Sequence, residues 1–273
     1  MKTVDWTLDE LNAAFPETGE TMPVVFVGHG NPMNAIEDNV YSRAWIGAGK
    51  ALPRPRAILS VSAHWETKGS RVTAMERPRT LYTFEGFPEE LFRARYPAPG
   101  SPQLAALVQQ TLKSREVRPD RKWGLDHGTW AVLCRLFPAA DIPVVQLSLD
   151  RTQGAAHHYA LAGHLRALRR KGILILGSGN VVHNLYRLVW QDRAFDWAAE
   201  FDETVKRLIL SGDHEALIHY EGLGENASLA IPTNEHFLPL LYVLALREER
   251  EPLSFFAEGV TLGTISMRAF RIG

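Results

Sequence analysis

The sequence predicts an α/β fold: a single domain with a mixed, largely parallel central sheet covered by helices on both faces. Short apolar runs alternate along the chain with longer amphipathic stretches, which is the sequence form of strands connected by crossover helices. The runs Val24–Val27, Ala57–Val61 and Ile173–Leu176 are apolar at nearly every position, as in strands buried on both faces rather than one. The final strand-like stretches, Leu253–Glu258 and Thr264–Arg271, are joined by a glycine-containing turn and add an antiparallel edge. At 273 residues the chain is long enough for one large core, and it shows no internal repeat or low-complexity tract.

In chain order, residues 1–22 read as an N-terminal leader with a short helical piece at Leu8–Ala14, and 23–273 as one domain. After the first strand, Asn31-Pro32 opens a helix through Ile36, Val40, Trp45 and Ile46, which Pro53 and Pro55 stop. The second strand, Ala57–Val61, opens as Ser62-Ala63-His64-Trp65, and Arg71–Met75 alternates as a further strand. Between Pro78 and Pro102 lies a long segment rich in aromatics (Tyr82, Phe84, Phe87, Phe92, Tyr96), of a length often found in functional loops and suited to a substrate-pocket wall. Leu104–Leu112 reads as a helix, and Val117 begins a short extended piece. Asp126 or Thr129 caps the amphipathic helix that contains Cys134. Ile142–Leu147 is a strand, Ala155–Arg170 a long helix closed by Gly172, and Trp197–Leu210 and Glu215–Tyr220 are helices. The apolar helix Leu238–Leu246 carries Asn234-Glu235-His236 in its first turn.

Composition excludes several classes. Hydrophobic residues at 45% and charged residues at 22% disfavour disorder, and a formal net charge of −1 gives no basic excess for nucleic acid or an anionic membrane. The expected partner is therefore a small molecule. A lone cysteine forms no internal disulfide, and Cys134 reads as a core thiol rather than a nucleophile. The acidic start (Asp5, Asp9, Glu10) is unlike a signal peptide, and no window reaches the ~20 apolar residues of a membrane helix, so the expected location is cytoplasmic.

The chemistry-bearing residues are histidines. His29 follows its strand inside Gly28-His29-Gly30, His64 follows the second strand, and His183 follows the third through Gly177-Ser178-Gly179. Ligands of open α/β sheets bind beyond the carboxyl ends of strands, so three histidines in equivalent positions point to one site. Imidazole suits zinc, copper, iron and nickel, and a single cysteine excludes a thiolate-type structural zinc. His127, between Asp126 and Gly128, reads equally as an acid/base group or as a structural residue of a helix start. Either Glu235 or His236 completes a coordination set with His29 and His64. His157, His158, His164, His214 and His219 follow no strand into a glycine loop and read as surface or structural.

Two motifs are discounted. Gly177-Ser178-Gly179-Asn180-Val181-Val182 follows a strand as a dinucleotide fingerprint does, but valine stands at the third glycine position. Ser62 and Ser178 lie near histidines outside any Gly-x-Ser-x-Gly elbow.

Together, Gly28-His29-Gly30-Asn31-Pro32-Met33, Ser62-Ala63-His64-Trp65, Asp126-His127-Gly128-Thr129-Trp130, Gly177 to Asn184 and Thr233-Asn234-Glu235-His236 resemble the class III extradiol ring-cleavage dioxygenases. The resemblance is greatest to the family's 4,5-DOPA dioxygenase branch and runs from Pro23 to Ser266-Met267. It implies a mononuclear non-haem site for Zn2+ or Fe2+, with His29 and His64 as ligands. In the wider family the third ligand is a glutamate; here the matching position is His236, and in the DOPA branch His183 also approaches the metal. The implied reaction opens a catechol such as L-DOPA with O2 to a semialdehyde of the 4,5-seco-DOPA type. His183 is then the first candidate for acid/base catalysis, and His127 orients substrate or shares that role. An all-nitrogen site also suits a zinc-binding non-oxygenase of the same fold, an interaction protein or a small-molecule zinc hydrolase.

Overall fold

In the computed structural model, which describes residues 6–112 and 117–273, an eight-stranded sheet forms the centre of the molecule. Its strands are β1 (Val24–Gly28), β2 (Ala57–Thr67), β3 (Arg71–Thr73), β4 (Arg118–Asp120), β5 (Val144–Asp150), β6 (Ile173–Gly179), β7 (Leu253–Ala257) and, after the short hairpin β8 (Val260–Thr261) and β9 (Ile265–Ser266), β10 (Ala269–Ile272). The order is β4-β3-β5-β2-β6-β1-β10-β7. The central four, β5-β2-β6-β1, are parallel, so their carboxyl ends share one edge. The closing strands β10 and β7 add the expected antiparallel edge beside β1.

Alternation along these strands divides the core in two. Val24, Phe26, Leu59, Ile173 and Ile175 face one layer, with the helices Pro102–Thr111, Ala155–Gly163, Asp196–Ser211 and Leu238–Ala245. Val25, Val27, Ile58, Leu174 and Leu176 face the other, with Val40–Ala51 and His127–Leu136. Successive side chains leave a strand on opposite sides, so a continuous apolar run supplies both layers at once. The predicted helical piece Leu8–Ala14 is present, and its Leu11 is fully buried in the first layer; residues 1–5 of the leader lie outside the described residues.

Several boundaries differ from expectation. The helix expected after Pro32 is two elements, a 3-10 turn Pro32–Ala35 and a helix Val40–Ala51, because Asn39 accepts from Tyr41 and Ser42 N–H and starts the helix afresh. The helix from Ala155 breaks after Gly163, where His164 and Leu165 bond carbonyls three residues back, and resumes at Arg166–Arg169. Asn234-Glu235-His236 form a turn ahead of the last helix, which begins at Leu238 with Pro239 in its first turn. The short helices Glu89–Arg93 and Glu225–Ala230 were not anticipated.

The site-bearing strand β2 differs most. It continues to Thr67, with its register against β5 shifting between Val61 and Glu66. His64 therefore lies within the strand rather than past its end. A bulge of this kind bends a strand and re-aims its side chains, and here it sits beside the histidine.

Candidate metal centre

Three backbone devices bring the histidines to the carboxyl edge of the sheet. β1 ends at Gly28, and His29 N–H bonds the Gly179 carbonyl at 3.0 Å, tying the first loop to the end of β6. Gly30 has φ +55°, which favours glycine, and a Cβ there would press on the Met267 thioether. At Gly179 a Cβ would fall 2.1 Å from the His236 carbonyl, whose oxygen accepts from Asn180 N–H at 2.8 Å. The glycines that mimic a nucleotide fingerprint thus serve to seat the His236 turn, at Gly179, and the helix after it, at Gly177, against β6.

His127 starts its helix. Asp126 caps it, accepting from Thr129 N–H at 3.1 Å, and is itself fully buried. Its carboxylate also accepts from Ser62 Oγ–H at 2.7 Å and Gln146 Nε2–H at 2.7 Å, while Gln146 Oε1 accepts from Asp126 N–H at 2.9 Å. A buried carboxylate with every contact satisfied fixes the approach of the helix, and with it the His127 ring.

Five imidazoles converge. His29 and His64 face each other with their Nε2 atoms 3.0 Å apart. The His236 ring lies 5.4 Å from His29 and 5.0 Å from His64, centroid to centroid. His127 lies 3.8 Å from His64, and His183 stacks on His236 at 3.5 Å with planes 6° apart. The rings of His29, His64, His127, His183 and His236 are therefore all in one cluster. Two groups that share no residue have donor atoms close enough for one ion: His29, His64 and His127, and His183, Glu235 and His236.

Hydrogen bonds define which nitrogens are bare. Ser178 Oγ lies 2.5 Å from the Gly128 carbonyl, which can only accept, so the serine proton is committed there. At 3.0 Å from His29 Nδ1 the same oxygen must accept, which puts the His29 proton on Nδ1 and leaves Nε2 bare toward His64. His236 Nδ1 lies 2.9 Å from Glu235 Oε1 and donates to it; its Nε2 is buried with no hydrogen-bond partner. Thr83 Oγ1 lies 2.6 Å from His127 Nδ1.

The electrostatics agree. Burial, followed by repulsion from His64, His127 and His183, holds His29 well below the usual histidine range. Burial also depresses His127 and His236, and pushes His183 down to about 3. Burial lowers His64, opposed by the Asp126 carboxylate. Neutral imidazole is the ligating form, and a buried, partnerless Nε2 on a ring neighbouring two histidines that face each other through Nε2 suits an electrophile. The donor set fits a divalent transition metal of the zinc or iron kind.

The surroundings are aromatic. Phe84 meets the His127 ring edge-on at 5.3 Å and packs with Tyr82, Phe87, Phe92 and Trp130, as the 78–102 segment suggested. Of the five histidines set aside in the sequence, three have hydrogen-bond partners. Buried His158 bonds Tyr242 Oη at 3.0 Å, His214 bonds Tyr159 Oη at 2.7 Å and His219 bonds Glu215 at 3.0 Å. Burial raises the Cys134 thiol to about 11, consistent with an inert core thiol. Sequence reasoning did not find the supporting roles of Ser178, Ser62, Gln146 and Thr83. The one available signal was a serine between Gly177 and Gly179 at a strand end.

Fold and site define an α/β protein with a histidine cluster able to hold one metal ion at the carboxyl edge of its sheet. Residues 23–266 match the family described as the catalytic LigB subunit of aromatic ring-opening dioxygenase, and the chain belongs to that family. It is 47% identical to a 4,5-DOPA dioxygenase extradiol of Escherichia coli K12, over 92% of this chain and 95% of that protein. It is 40% identical to a 4,5-DOPA dioxygenase extradiol of Beta vulgaris, over 79% and 83%. A crystal structure of an uncharacterised E. coli K12 protein superposes with a TM-score of 0.81 at 44% identity, covering 92% of this chain and all of that one. The chain is thus an extradiol dioxygenase, an oxidoreductase of a family that acts on aromatic compounds with O2 at a mononuclear metal. No helix among the described residues is long and apolar enough to cross a membrane.

Proposed function

We propose that this enzyme opens a catechol such as L-DOPA between ring carbons to a 4,5-seco-DOPA-type semialdehyde, at one ion of Fe2+ or Zn2+ held by His29, His64 and His236. The observation that carries the ligand set is the buried, partnerless Nε2 of His236, on a ring 5.4 Å from that of His29 and 5.0 Å from that of His64, centroid to centroid, which themselves face each other through Nε2. On this reading Glu235 is not a ligand. It accepts the Nδ1 proton of His236 and so orients the ring and raises its basicity, the usual part of a carboxylate behind a ligating histidine. Ser178 does the same for His29.

The ion, when bound, supplies Lewis acidity toward the diol and, as ferrous iron, the electrons that activate dioxygen. The protein does the rest. Desolvated and neutral, His127 and His183 flank the ligands and are free to accept a catechol proton and return one as the ring opens. His183 is the fourth nitrogen at hand. A lone pair lies in its ring plane, so His183 has to turn out of its parallel stack on His236 before both can face one ion. His183 would help to hold the ion in the free enzyme and would transfer the proton once a catechol is bound. Phe84 and its aromatic neighbours form an apolar wall that holds the ring and sheds water.

The test is anaerobic loading with Fe2+ or with Zn2+, followed by L-DOPA and other catechols in air. Oxygen uptake and a yellow semialdehyde from the iron form support the proposal. No uptake from the iron form with any of the catechols contradicts it.

A further inference from the structure

We propose that a second, separate site on this chain binds a multiply charged oxyanion. A cavity of about 490 Å³ is lined by Met75, Arg77, Arg79, Arg121, Lys122 and Trp123. Four of these six residues are cationic and none is acidic. Among the described residues none of the four cations forms an ion pair with a carboxylate. The nearby acid Asp120 is engaged elsewhere: it pairs with Arg71 and accepts from the backbone N–H groups of Lys122 and Trp123. Glu76 is exposed and does not line the cavity. Like charges gathered around one concavity repel, and an anion seated among them converts that repulsion to attraction.

The cations stand on a fixed frame. Ala74 N–H bonds the Asp120 carbonyl at 2.7 Å, Leu125 N–H bonds the Arg79 carbonyl at 2.9 Å and Leu81 N–H bonds the Leu125 carbonyl at 2.8 Å, so the two segments form a pinned ribbon. Arg79 Nη2 donates to the Lys122 carbonyl at 3.2 Å, crossing between the segments. Trp123 stacks on Trp65 with ring centroids 5.6 Å apart and planes 5° apart, which holds that wall of the cavity. Among the described residues the Arg77 and Arg121 guanidiniums make no hydrogen bond, and Arg79 spends one Nη on the Lys122 carbonyl, so the lining keeps N–H donors to spare, which suit phosphate or dicarboxylate oxygens better than a monovalent halide. Neither the histidine cluster nor the chemistry proposed there is involved, so this site stands or falls alone.

Phosphate and carboxylate share the required chemistry, and one experiment separates them. The full-length protein is titrated calorimetrically with inorganic phosphate and, in parallel, with succinate, in chloride buffer at constant ionic strength. The same titrations are made on the double variant Arg77→Ala/Arg121→Ala; both side chains are exposed, and an unchanged melting temperature checks the fold. We expect saturable one-to-one binding of at least one anion, weakened roughly tenfold or more in the variant, as loss of charged hydrogen bonds predicts. The tighter of the two identifies the source. No saturable binding of either at millimolar concentration overturns the proposal, and so does binding that survives the double substitution, since it then belongs to another place such as the histidine cluster.

Discussion

The Oγ of Ser178 lies 3.0 Å from Nδ1 of His29 and 2.5 Å from the Gly128 carbonyl, so a single hydroxyl sets which nitrogen of His29 is bare. Removing it frees the imidazole to take the other tautomer and to turn. Ser178→Ala is expected to weaken metal binding by roughly 10- to 100-fold, the usual effect of losing a group behind a ligand, with little change in fold. Competition against a chromophoric chelator reads this directly. Unchanged affinity means that Ser178 does not set the tautomer.

The division of labour between Glu235 and His236 is tested in the same way. His236→Ala is expected to abolish tight binding, because the bare Nε2 is lost. Glu235→Gln keeps an acceptor for Nδ1–H and is expected to be mild, whereas Glu235→Ala costs roughly 10- to 100-fold in affinity. Equal, complete loss in His236→Ala and both Glu235 variants identifies the carboxylate as a ligand instead.

His183 is assigned a proton. His183→Ala is expected to lower kcat by roughly 10²- to 10⁴-fold, the range of general acid–base catalysis, with a smaller change in KM. A variant whose kcat stays intact removes His183 from the chemistry.

Outside the cluster, His158 makes stability depend on pH. Burial holds its folded pKa down to about 4, against roughly 6.5 in an unfolded chain. Between those values the unfolded chain binds the extra proton, so stability rises with pH across the window; it is complete above about 6.5 and lost as pH falls toward about 4. The contribution is of the order of 3 kcal/mol. Urea unfolding of the metal-loaded protein at several pH values measures it, and His158→Gln should flatten the slope. An equal slope in the variant rules out His158 as the titrating group.

Much of the fold is legible because β1, β2 and β6 are apolar on both sides, a pattern that only a doubly covered sheet satisfies. The grouping of the histidines is legible for a related reason: strands that are parallel end at one edge, so residues following them meet. Long-range relationships are what the sequence conceals. The register shift that keeps His64 within β2 depends on pairing with β5, more than 75 residues away in the chain. Ser178 read as a stray hydroxyl because Gly128, its acceptor, lies 50 residues off, and Asp126 read as a cap alone because Gln146 is on another strand. Gly177 and Gly179 resemble a nucleotide motif because tight packing, of Gly177 against Pro239 in the last helix and of Gly179 against the His236 turn, makes the same demand of the backbone as close approach to a phosphate.

The central claim is that the histidine cluster holds an ion at which both atoms of dioxygen enter a catechol. The most direct measurement is the mass of the ring-opened product formed by the Fe2+-loaded enzyme from L-DOPA under ¹⁸O-labelled dioxygen, trapped before its aldehyde exchanges with water. The account predicts two labelled oxygen atoms in that product, and no product from His29→Ala or His64→Ala. A product with label only from water, or equal labelling in the histidine variants, contradicts it.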